Sequence, residues 1–152
     1  KKFNIDKNGK VTWETIGETP NTVYIVEQYR WKRWVEVAKV KSRANKASNY
    51  VYYTEIHPHF GVNNIRIREF DNNKEIEVKA ETKFKSTSKL IQLLTQKAEN
   101  ELKFSGSTLY EIMDMNLNLI LSGYDNKVDV SSLPKGKYYA NFDNVSEVFT
   151  KK

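Results

Sequence analysis

The sequence predicts an all-β protein built as two tandem β-sandwiches. β-Branched and aromatic residues recur in short runs that alternate with polar residues, and Gly, Pro, Asn and Asp separate these runs. Such alternation is typical of half-buried strands, whereas long helical periodicity is hard to find. The chain has 152 residues, 39% of them hydrophobic and 12% aromatic, which suffices for one large core or two small ones. The number of short strands favours two.

The first strands are predicted to form a hairpin. Phe3 and Ile5 alternate with polar residues before a turn at Gly9, and the next run places Val11 and Trp13 on one face. Trp13 is therefore predicted to lie in the core, with an exposed ligand-stacking tryptophan as the alternative. Further strands are predicted over residues 22–30, 35–40, 49–56, 65–70 and 75–82, with turns at 31–34 and 71–74 and an exposed loop at 39–49.

Several positions in this first module match a known pattern. They are residues 11–15, Asn21, Val26, Glu27, Trp34, Val37, Pro58, Gly61 and residues 65–71. In this order they resemble fibronectin type III-like domains, which belong to the broader class of immunoglobulin-like sandwiches. The resemblance implies seven short strands in two packed sheets.

Residues 83–89 are predicted to link the two modules. This stretch is cationic and rich in small polar side chains, and it has no apolar period. Such a composition is typical of an exposed linker, and a linker this short limits the freedom between domains. The predicted domains are therefore residues 1–84 and residues 85–152.

The second module also consists of short strand-like runs. They cover residues 90–94, 101–104, 108–113, 117–122, 127–130, 137–142 and 145–150. The first two runs have an alternative: a single helix over residues 90–102, because Leu90, Leu94 and Ala98 are spaced four residues apart. Both interpretations remain open from the residues alone.

The segment 128–142 organises this second module. The strand that contains Val130 is followed by Pro134 and Gly136, which reverse the chain, and another strand then starts near Tyr138. One interpretation is a tyrosine corner, in which the Tyr hydroxyl bonds back to the preceding turn. The other is an ordinary β-turn.

The last third of the chain carries further features in a fixed order. A strand ends at a hairpin turn with Asp114, a second ends at Gly123, an Asp-Val-Ser-x-Leu-x-x-Gly-x-Tyr corner follows at 129–138, and the last strand closes on Lys151 and Lys152. Together they resemble the type A C-terminal sorting domain of the type IX secretion system of Bacteroidota. The resemblance covers about residues 89–152 and favours strands over a helix at 90–102.

Two positions depart from the pattern of that family. Residues 95–98 stand where the family has Pro-Asn-Pro-Ala, and only Ala98 is kept. Leu117 stands in place of the glycine in the hairpin turn. Asn116 is therefore expected to supply the left-handed residue that such a turn needs.

The resemblance implies a non-catalytic region of a secreted cell-surface protein, associated with the outer membrane of a Gram-negative bacterium after passing the periplasm. A spacer or binding module would precede a sorting domain recognised by the type IX outer-membrane machinery, and a cargo domain would lie upstream in the same precursor. The implied recognition residues are Asp129, Val130, Ser131, Leu133, Gly136, Tyr138, Lys151 and Lys152. The alternative is a resident binding or docking subunit of a surface complex that retains a sorting-like domain.

The composition of the chain limits the classes of molecule that it is expected to bind. The net charge is +6, but basic and acidic residues are interleaved, so nucleic acid is not predicted, while anionic lipopolysaccharide or a surface glycan is compatible with the charge. The chain has no cysteine, which excludes disulfides and thiolate metal sites. It has no apolar run of about 18 residues and no signal-peptide pattern. A start at Lys1 is expected of a mature product or a fragment whose export signal has been removed.

Neither an enzyme nor a cofactor is predicted. His57 and His59 share a side if extended, but no carboxylate cluster accompanies them, so a solvated corner is predicted rather than a metal site. Ser131 has no histidine near it in the sequence to act as a base. Glu14 and Glu27 could approach across strands, but a glycosidase pair is not predicted on so small a sandwich.

Overall fold

The computed structural model describes residues 3–43 and 50–152, and these residues form β-strands joined by turns. The predicted all-β class is confirmed. The chain divides into two compact units, one ending at Ser88 and the other spanning Lys89–Lys152. The sequence placed the division after residue 84 instead. Among the described residues, no helix is long and apolar enough to cross a membrane.

The first unit contains seven strands in its described residues. They are β1 (Phe3–Ile5), β2 (Lys10–Thr15), β3 (Thr22–Arg30), β4 (Arg33–Lys41), β5 (Tyr50–Glu55), β6 (Val62–Asp71) and β7 (Lys74–Lys85). One sheet has the order β1-β2-β5 and the other the order β4-β3-β6-β7, with antiparallel neighbours throughout. This is the fibronectin type III-like sandwich that the sequence predicts.

Aromatic rings hold the two sheets of the first unit together. Trp13 stacks on Tyr52 within one sheet, with ring centroids 5.6 Å apart, and meets Tyr24 of the other sheet edge-on at 5.7 Å. Trp13 is only 3% exposed, which confirms its predicted place in the core. The aliphatic members of this core are Val11, Val26, Ile56, Ile65 and Ile67.

Two hairpins of this unit use left-handed residue pairs. Trp31 and Lys32 have φ of 52° and 63°, and Asn72 and Asn73 have the same values. Positive φ at both central residues defines the type I′ turn, whose twist matches that of the flanking strands. The first turn is therefore tighter than the predicted 31–34 turn, because Arg33 already belongs to β4.

Two predicted loops are shorter in the structure. β4 continues through Lys41, so the exposed loop predicted at 39–49 begins later, and its residues 44–49 lie outside the described part of the chain. β7 continues through Lys85, so the first half of the predicted linker 83–89 is strand. Pairing with β6 explains this second difference, because Val62 opposes Lys85 in the ladder.

The second unit contains β8 (Lys97–Ala98), β9 (Glu101–Met113), β10 (Leu119–Asp129), β11 (Gly136–Phe142) and β12 (Val145–Lys151). Their order in the sheet is β10-β9-β11-β12-β8, and the β8–β12 pair is parallel. Each of β9 and β10 joins two strands that the sequence predicted separately. Register shifts between Leu119 and Leu121 and between Asp125 and Lys127 mark irregularities within this long ribbon.

Because β9 and β10 are long, residues of the same sheet surround the hydrophobic core of the second unit. The first half of β9 carries Phe104, whose ring lies 5.1 Å from that of Phe142 on β11, although β9 pairs with β11 only through its last residues. Residues 90–94 are extended rather than helical: the Leu94 amide donates to the Lys103 carbonyl at 2.8 Å. The other core residues are Ala98, Leu102, Ile112, Val128, Val130, Leu133, Tyr138, Ala140 and Phe149.

Candidate functional site

The corner between β10 and β11 is a tyrosine corner. The Tyr138 hydroxyl donates to the Pro134 carbonyl at 2.6 Å, while its ring stacks on Phe149 with centroids 5.7 Å apart. Tyr138 is 6% exposed. The ring is therefore anchored in the core, and its hydroxyl holds the turn at a fixed distance from β11. The ordinary β-turn, the alternative from sequence, lacks this bond.

The start of the corner is ordered by Asp129. Its Oδ1 accepts hydrogen bonds from the Ser131 amide at 2.9 Å and from the Ser131 hydroxyl at 2.6 Å. These two bonds favour the ionised carboxyl and hold the pKa of Asp129 below its ordinary value. Both residues are exposed, whereas Val130 between them is buried. The Ser131 hydroxyl is thus engaged by the Asp129 carboxylate.

The end of the corner depends on Gly136. Its φ is +147°, in a region that residues with a Cβ rarely adopt, and no atom lies within 4 Å of the position a Cβ would occupy. The requirement for glycine here is therefore conformational rather than steric. Leu133 is 8% exposed, and its amide donates to the Val130 carbonyl at 3.0 Å. The turn is therefore anchored to the core of the second unit by the Leu133 side chain.

The two terminal lysines differ in environment. Lys151 is 8% exposed and lies between Gly136 and Ala98 in the sheet, whereas Lys152 is exposed. The Lys152 amide still donates to the Ala98 carbonyl at 2.9 Å. Lys151 is therefore packed into the sheet, whereas Lys152 is accessible. The parallel strand β8, which pairs with the chain end, is the reason.

The β9–β10 hairpin turn places its left-handed residue one position later than predicted. Leu117 has φ of +66°, and Asn116 is not among the residues with positive φ. The Asp114 carboxylate explains the geometry, because it accepts from the amides of Asn116 and Asn118 at 2.8 and 2.9 Å. The turn is thereby fixed around Asp114, and Leu117 falls in the left-handed position.

We expect Leu117→Gly to stabilise the second unit by about 1 kcal/mol. A left-handed conformation costs a residue with a Cβ roughly 1–2 kcal/mol, and Leu117 is 66% exposed and so has little packing to lose. Urea denaturation of the purified protein measures the change. Asn116→Gly is the matched control, since it should destabilise slightly by adding backbone freedom. A loss of stability with Leu117→Gly would contradict the assignment of strain to Leu117.

The corner at residues 57–59 is exposed at His57, as the sequence predicts, but packed at His59. His59 is 2% exposed, and its amide donates to Asn63 Oδ1 at 3.0 Å. Asn63 Nδ2 returns a bond to the His59 carbonyl at 3.0 Å, and Gln28 Nε2 also donates to Asn63 Oδ1, at 2.8 Å. No group of three potential metal ligands occurs among the described residues. The cluster is therefore a hydrogen-bonded structural corner.

A buried arginine completes this corner. Arg30 is 1% exposed, and its Nε donates to Gln28 Oε1 at 2.7 Å while its guanidinium also donates to the His57 carbonyl. Burial lowers the pKa of His57, and the positive charge of Arg30 lowers it further. Sequence reasoning missed Arg30 because a charged residue at a strand end is ordinarily solvated.

A second buried polar cluster surrounds Glu18. Glu18 is 3% exposed and accepts hydrogen bonds from the hydroxyls of Thr15, Ser42 and Tyr52, the last at 2.5 Å. Burial raises the pKa of Glu18, but the three hydrogen bonds, with the charge of Arg43, outweigh it and leave the pKa below its ordinary value. The carboxylate therefore stays ionised inside the first unit and ties together segments distant in sequence.

Glu14 and Glu27 do not form a pair of facing carboxylates. Glu14 lies on β2 and Glu27 on β3, in different sheets, and each alternates with a core residue, so both point away from the core. Glu27 is instead held by arginines: Arg66 Nε lies 2.7 Å from its Oε1, and Arg68 Nη1 lies 3.4 Å from its Oε2. Glu27 is thus paired with arginines of its own sheet and not with Glu14.

The outward face of the β4-β3-β6-β7 sheet is a candidate surface that sequence reasoning did not single out. The Arg66 guanidinium lies 4.3 Å from the ring centre of Trp34, and the Tyr29 ring packs edge-on against Trp34 at 5.3 Å. Nearby, Val23, Ile25, Glu27, Glu36, Lys39, Arg68, Phe70 and Asn73 line a shallow cavity of about 300 Å³. The available signal was the alternation of Arg66 and Arg68 on one strand face. Aromatic rings beside paired charges can contact polar ligands.

Comparisons with known proteins identify no family. No protein-family model matches the chain, and no curated protein matches it. Among solved structures, the crystal structure of chicken CNTN1 FN1-FN3 domains is similar over 95% of this chain and 60% of that one, with 13% sequence identity and a TM-score of 0.29. The chain thus spans less than two thirds of that structure. The β-sandwich assignment rests on the strand order of the chain itself.

Proposed function

We propose that this chain is a non-catalytic part of a surface protein of a Gram-negative bacterium, in which a spacer or binding module precedes a type IX secretion sorting domain. The partner would be the outer-membrane machinery of that system, and the route would pass through the periplasm. The first half of this assignment follows the fold, because fibronectin type III-like sandwiches are typical of binding and spacer modules. The second half depends on the corner and the chain end.

One observation carries the proposal: the sequence motif that suggests sorting coincides with a rigid local structure. The Tyr138 hydroxyl bonds to the Pro134 carbonyl, and Asp129 bonds to Ser131 at the other side of the corner. A recognition element benefits from such preorganisation, because little ordering entropy remains to be lost on binding. The corner therefore supports a role as a docking element.

The implied recognition residues divide into two groups by exposure. Val130, Leu133, Tyr138 and Lys151 are buried and shape the corner and the last strand. Asp129, Ser131, Gly136 and Lys152 are exposed and remain accessible to a partner. We assign direct contact to the exposed group, with Lys152 offering the only side-chain cation among these four residues.

The first unit would act as the spacer or binding module of the same protein. Its outward face combines Trp34 with Arg66 and Arg68, which suits contact with an anionic surface glycan or lipopolysaccharide. Glu27 compensates part of that positive charge, so such contact would be weak and salt-dependent. A cargo domain upstream in the same precursor belongs to this proposal as well.

Export of a reporter tests the sorting role. A fluorescent protein fused to residues 89–152, preceded by a periplasmic signal, is produced in a bacterium that has this secretion system. We expect surface delivery, and a loss of about tenfold with Lys152→Gln, as for one charge-assisted hydrogen bond. Lys103→Gln is the matched control, because Lys103 is also exposed, on β9. Thermal unfolding of both variants should be unchanged, which separates recognition from folding.

The outcomes distinguish the two hypotheses. A reporter that stays in the periplasm even with the intact domain, or that reaches the surface equally well with Lys152→Gln, would contradict sorting through this surface. Mass spectrometry of the C-terminus of the native protein addresses the alternative. An end near residues 83–89 supports sorting with cleavage, whereas an end at Lys152 supports a resident docking subunit that keeps the domain.

A further inference from the structure

Cations gather at one end of the first unit. The β3–β4 turn lies there, β6 begins there and β7 ends there, because neighbouring strands of this sheet are antiparallel. Lys32 lies in the turn and Arg33 begins β4, while Lys83 and Lys85 are the last two lysines of β7. The three lysines are exposed and Arg33 is partly exposed. This end of the sheet therefore presents four cations to solvent.

Apolar side chains lie among these cations. Phe60 and Val62 are each 52% exposed, and Val62 opposes Lys85 in the ladder. Trp31 is partly exposed in the β3–β4 turn, where the guanidinium group of Arg33 lies 5.8 Å from its ring centre. We call these three apolar residues and the four cations together the basic end.

The residues of the β3–β4 turn are not those that its backbone favours. Trp31 and Lys32 have φ of 52° and 63°, and Asn72 and Asn73 adopt the same values in the other hairpin of this sheet. Asparagine and glycine suit such a turn, whereas a bulky residue with positive φ is an outlier. The turn geometry therefore explains the asparagines but not the Trp-Lys pair. An unfavourable residue kept at a turn points to a role for its side chain.

Acidic residues compensate the basic end only in part. On β3 and β4 the nearest ones are Glu27 and Glu36, which pair three rungs below the last rung of the hairpin. Three rungs correspond to about 10 Å, which exceeds the Debye length of about 8 Å at physiological salt. Two further acidic residues already oppose cations in their own ladders: Glu55 opposes Lys10, and Glu81 opposes Arg66. The basic end therefore keeps a local positive charge.

A lipid surface that carries phosphate groups matches this combination of side chains. Lysine and arginine attract anionic headgroups, and indole rings favour the boundary between the headgroups and the acyl chains. Phe60 and Val62 are removed from water only by a partner that offers an apolar layer. This requirement favours a lipid surface over a soluble polyanion such as nucleic acid.

We propose that the basic end is a peripheral binding site for phosphate-bearing lipids. The four cations contact headgroup phosphates, while Trp31, Phe60 and Val62 enter the boundary beneath them. Each cation is expected to raise the affinity about fivefold, the factor equivalent to about 1 kcal/mol. The inference goes beyond the proposed glycan contact and does not depend on the sorting role, because it concerns the first unit alone.

Cosedimentation of the full chain with lipid vesicles tests the proposal. We expect binding to vesicles of equal parts phosphatidylcholine and phosphatidylglycerol, and little binding to vesicles of phosphatidylcholine alone. Higher salt should weaken binding, because it screens the attraction between the cations and the headgroups. Binding should also shift the tryptophan fluorescence to shorter wavelength as the indole of Trp31 leaves water, and Trp31→Phe should abolish this shift.

Paired lysine variants locate the site. Lys83→Gln with Lys85→Gln should lower the affinity for the mixed vesicles about 25-fold, at about fivefold for each cation. Lys39→Gln with Lys41→Gln is the matched control, because both lysines are exposed on β4 toward the opposite end of the same sheet. It changes the net charge equally, but the affinity should fall less than about twofold.

Lys32→Gly tests the turn itself. It should lower the affinity about fivefold and leave thermal unfolding unchanged or raised, because glycine suits a φ of 63° better than lysine does. Unchanged thermal unfolding is also expected for the paired lysine variants, since they alter exposed side chains. A loss of binding with retained folding therefore reports on the surface.

Three results would overturn the proposal. Equal losses in the two paired variants would assign binding to net charge rather than to the basic end. Equal binding to phosphatidylcholine vesicles would remove the role of the phosphate charge. A DNA duplex that binds more tightly than the mixed vesicles, with the same dependence on Lys83 and Lys85, would identify nucleic acid as the partner instead. Reporter export is a separate measurement, so a failure of the lipid site is distinguishable from a failure of the sorting role.

Discussion

Tyr138→Ala is expected to lower the free energy of unfolding of the second unit by about 3–5 kcal/mol, the usual cost of deleting a buried aromatic ring. The ring stacks on Phe149 in the core, and its hydroxyl fixes Pro134 in the corner. The substitution removes both contacts and leaves a cavity beside Phe149. Because the corner is the proposed recognition element, export of the reporter should fail together with folding.

Tyr138→Phe separates the two contributions. It keeps the ring and removes only the bond to the Pro134 carbonyl, so a loss of about 1 kcal/mol is expected. Tyr124→Ala is the matched control, because Tyr124 is 48% exposed and its removal should cost well under the value for Tyr138. Urea denaturation of the isolated second unit measures all three. Equal losses for Tyr138→Ala and Tyr124→Ala would contradict the anchoring role of the corner.

Glu18→Ala is expected to cost the first unit about 2–4 kcal/mol. The Glu18 carboxylate accepts from three hydroxyls, and its removal leaves buried donors such as the Tyr52 hydroxyl without their partner. Each buried group left unsatisfied costs roughly 1–3 kcal/mol. Glu14→Ala is the matched control, since Glu14 points outward from its strand. Thermal or urea unfolding of the first unit measures the difference.

The stability contributed by Glu18 should depend on pH. Its pKa in the folded protein lies below the ordinary value of 4.5, so folding favours the ionised form. This contribution is present above the unfolded pKa and is lost as the pH falls through the lower folded pKa. The stability difference between the wild type and Glu18→Gln should therefore shrink on acidification below pH 4.5. A difference that stays constant or grows in acid would contradict an ionised buried Glu18.

The strand pattern follows from the sequence because it is a local property. Alternating side chains lie on opposite faces of a strand, so Val11 and Trp13 had to share a face, and the apolar face had to be the buried one. The turns at Gly9 and at Asn72 and Asn73 were predictable for the same reason, because these residue types favour the positive φ that each turn uses. The corner at 129–138 was also predictable, because its turn residues and its tyrosine lie within one short segment.

Burial of polar side chains was decided by tertiary structure. Arg30, His59 and Glu18 are buried because residues far away in sequence form hydrogen bonds with them, such as Ser86 with His59 and Tyr52 with Glu18. Nothing in the local pattern of a polar residue indicates whether such a partner arrives. Sequence reasoning therefore treated the corner at 57–59 as solvated.

Long-range pairing also decided the environment of the chain end, whereas the β9–β10 hairpin turn depends on local bonds. Lys151 is buried because β8 adds to β12 in parallel, a pairing between segments more than fifty residues apart. Leu117 adopts a left-handed conformation because the Asp114 carboxylate accepts hydrogen bonds from the amides of Asn116 and Asn118. The sequence by itself thus determined the all-β class, the hairpins and the position of the corner. Only the tertiary structure decided which polar groups are buried and which apolar ones remain exposed, because burial depends on partners that the local pattern does not specify.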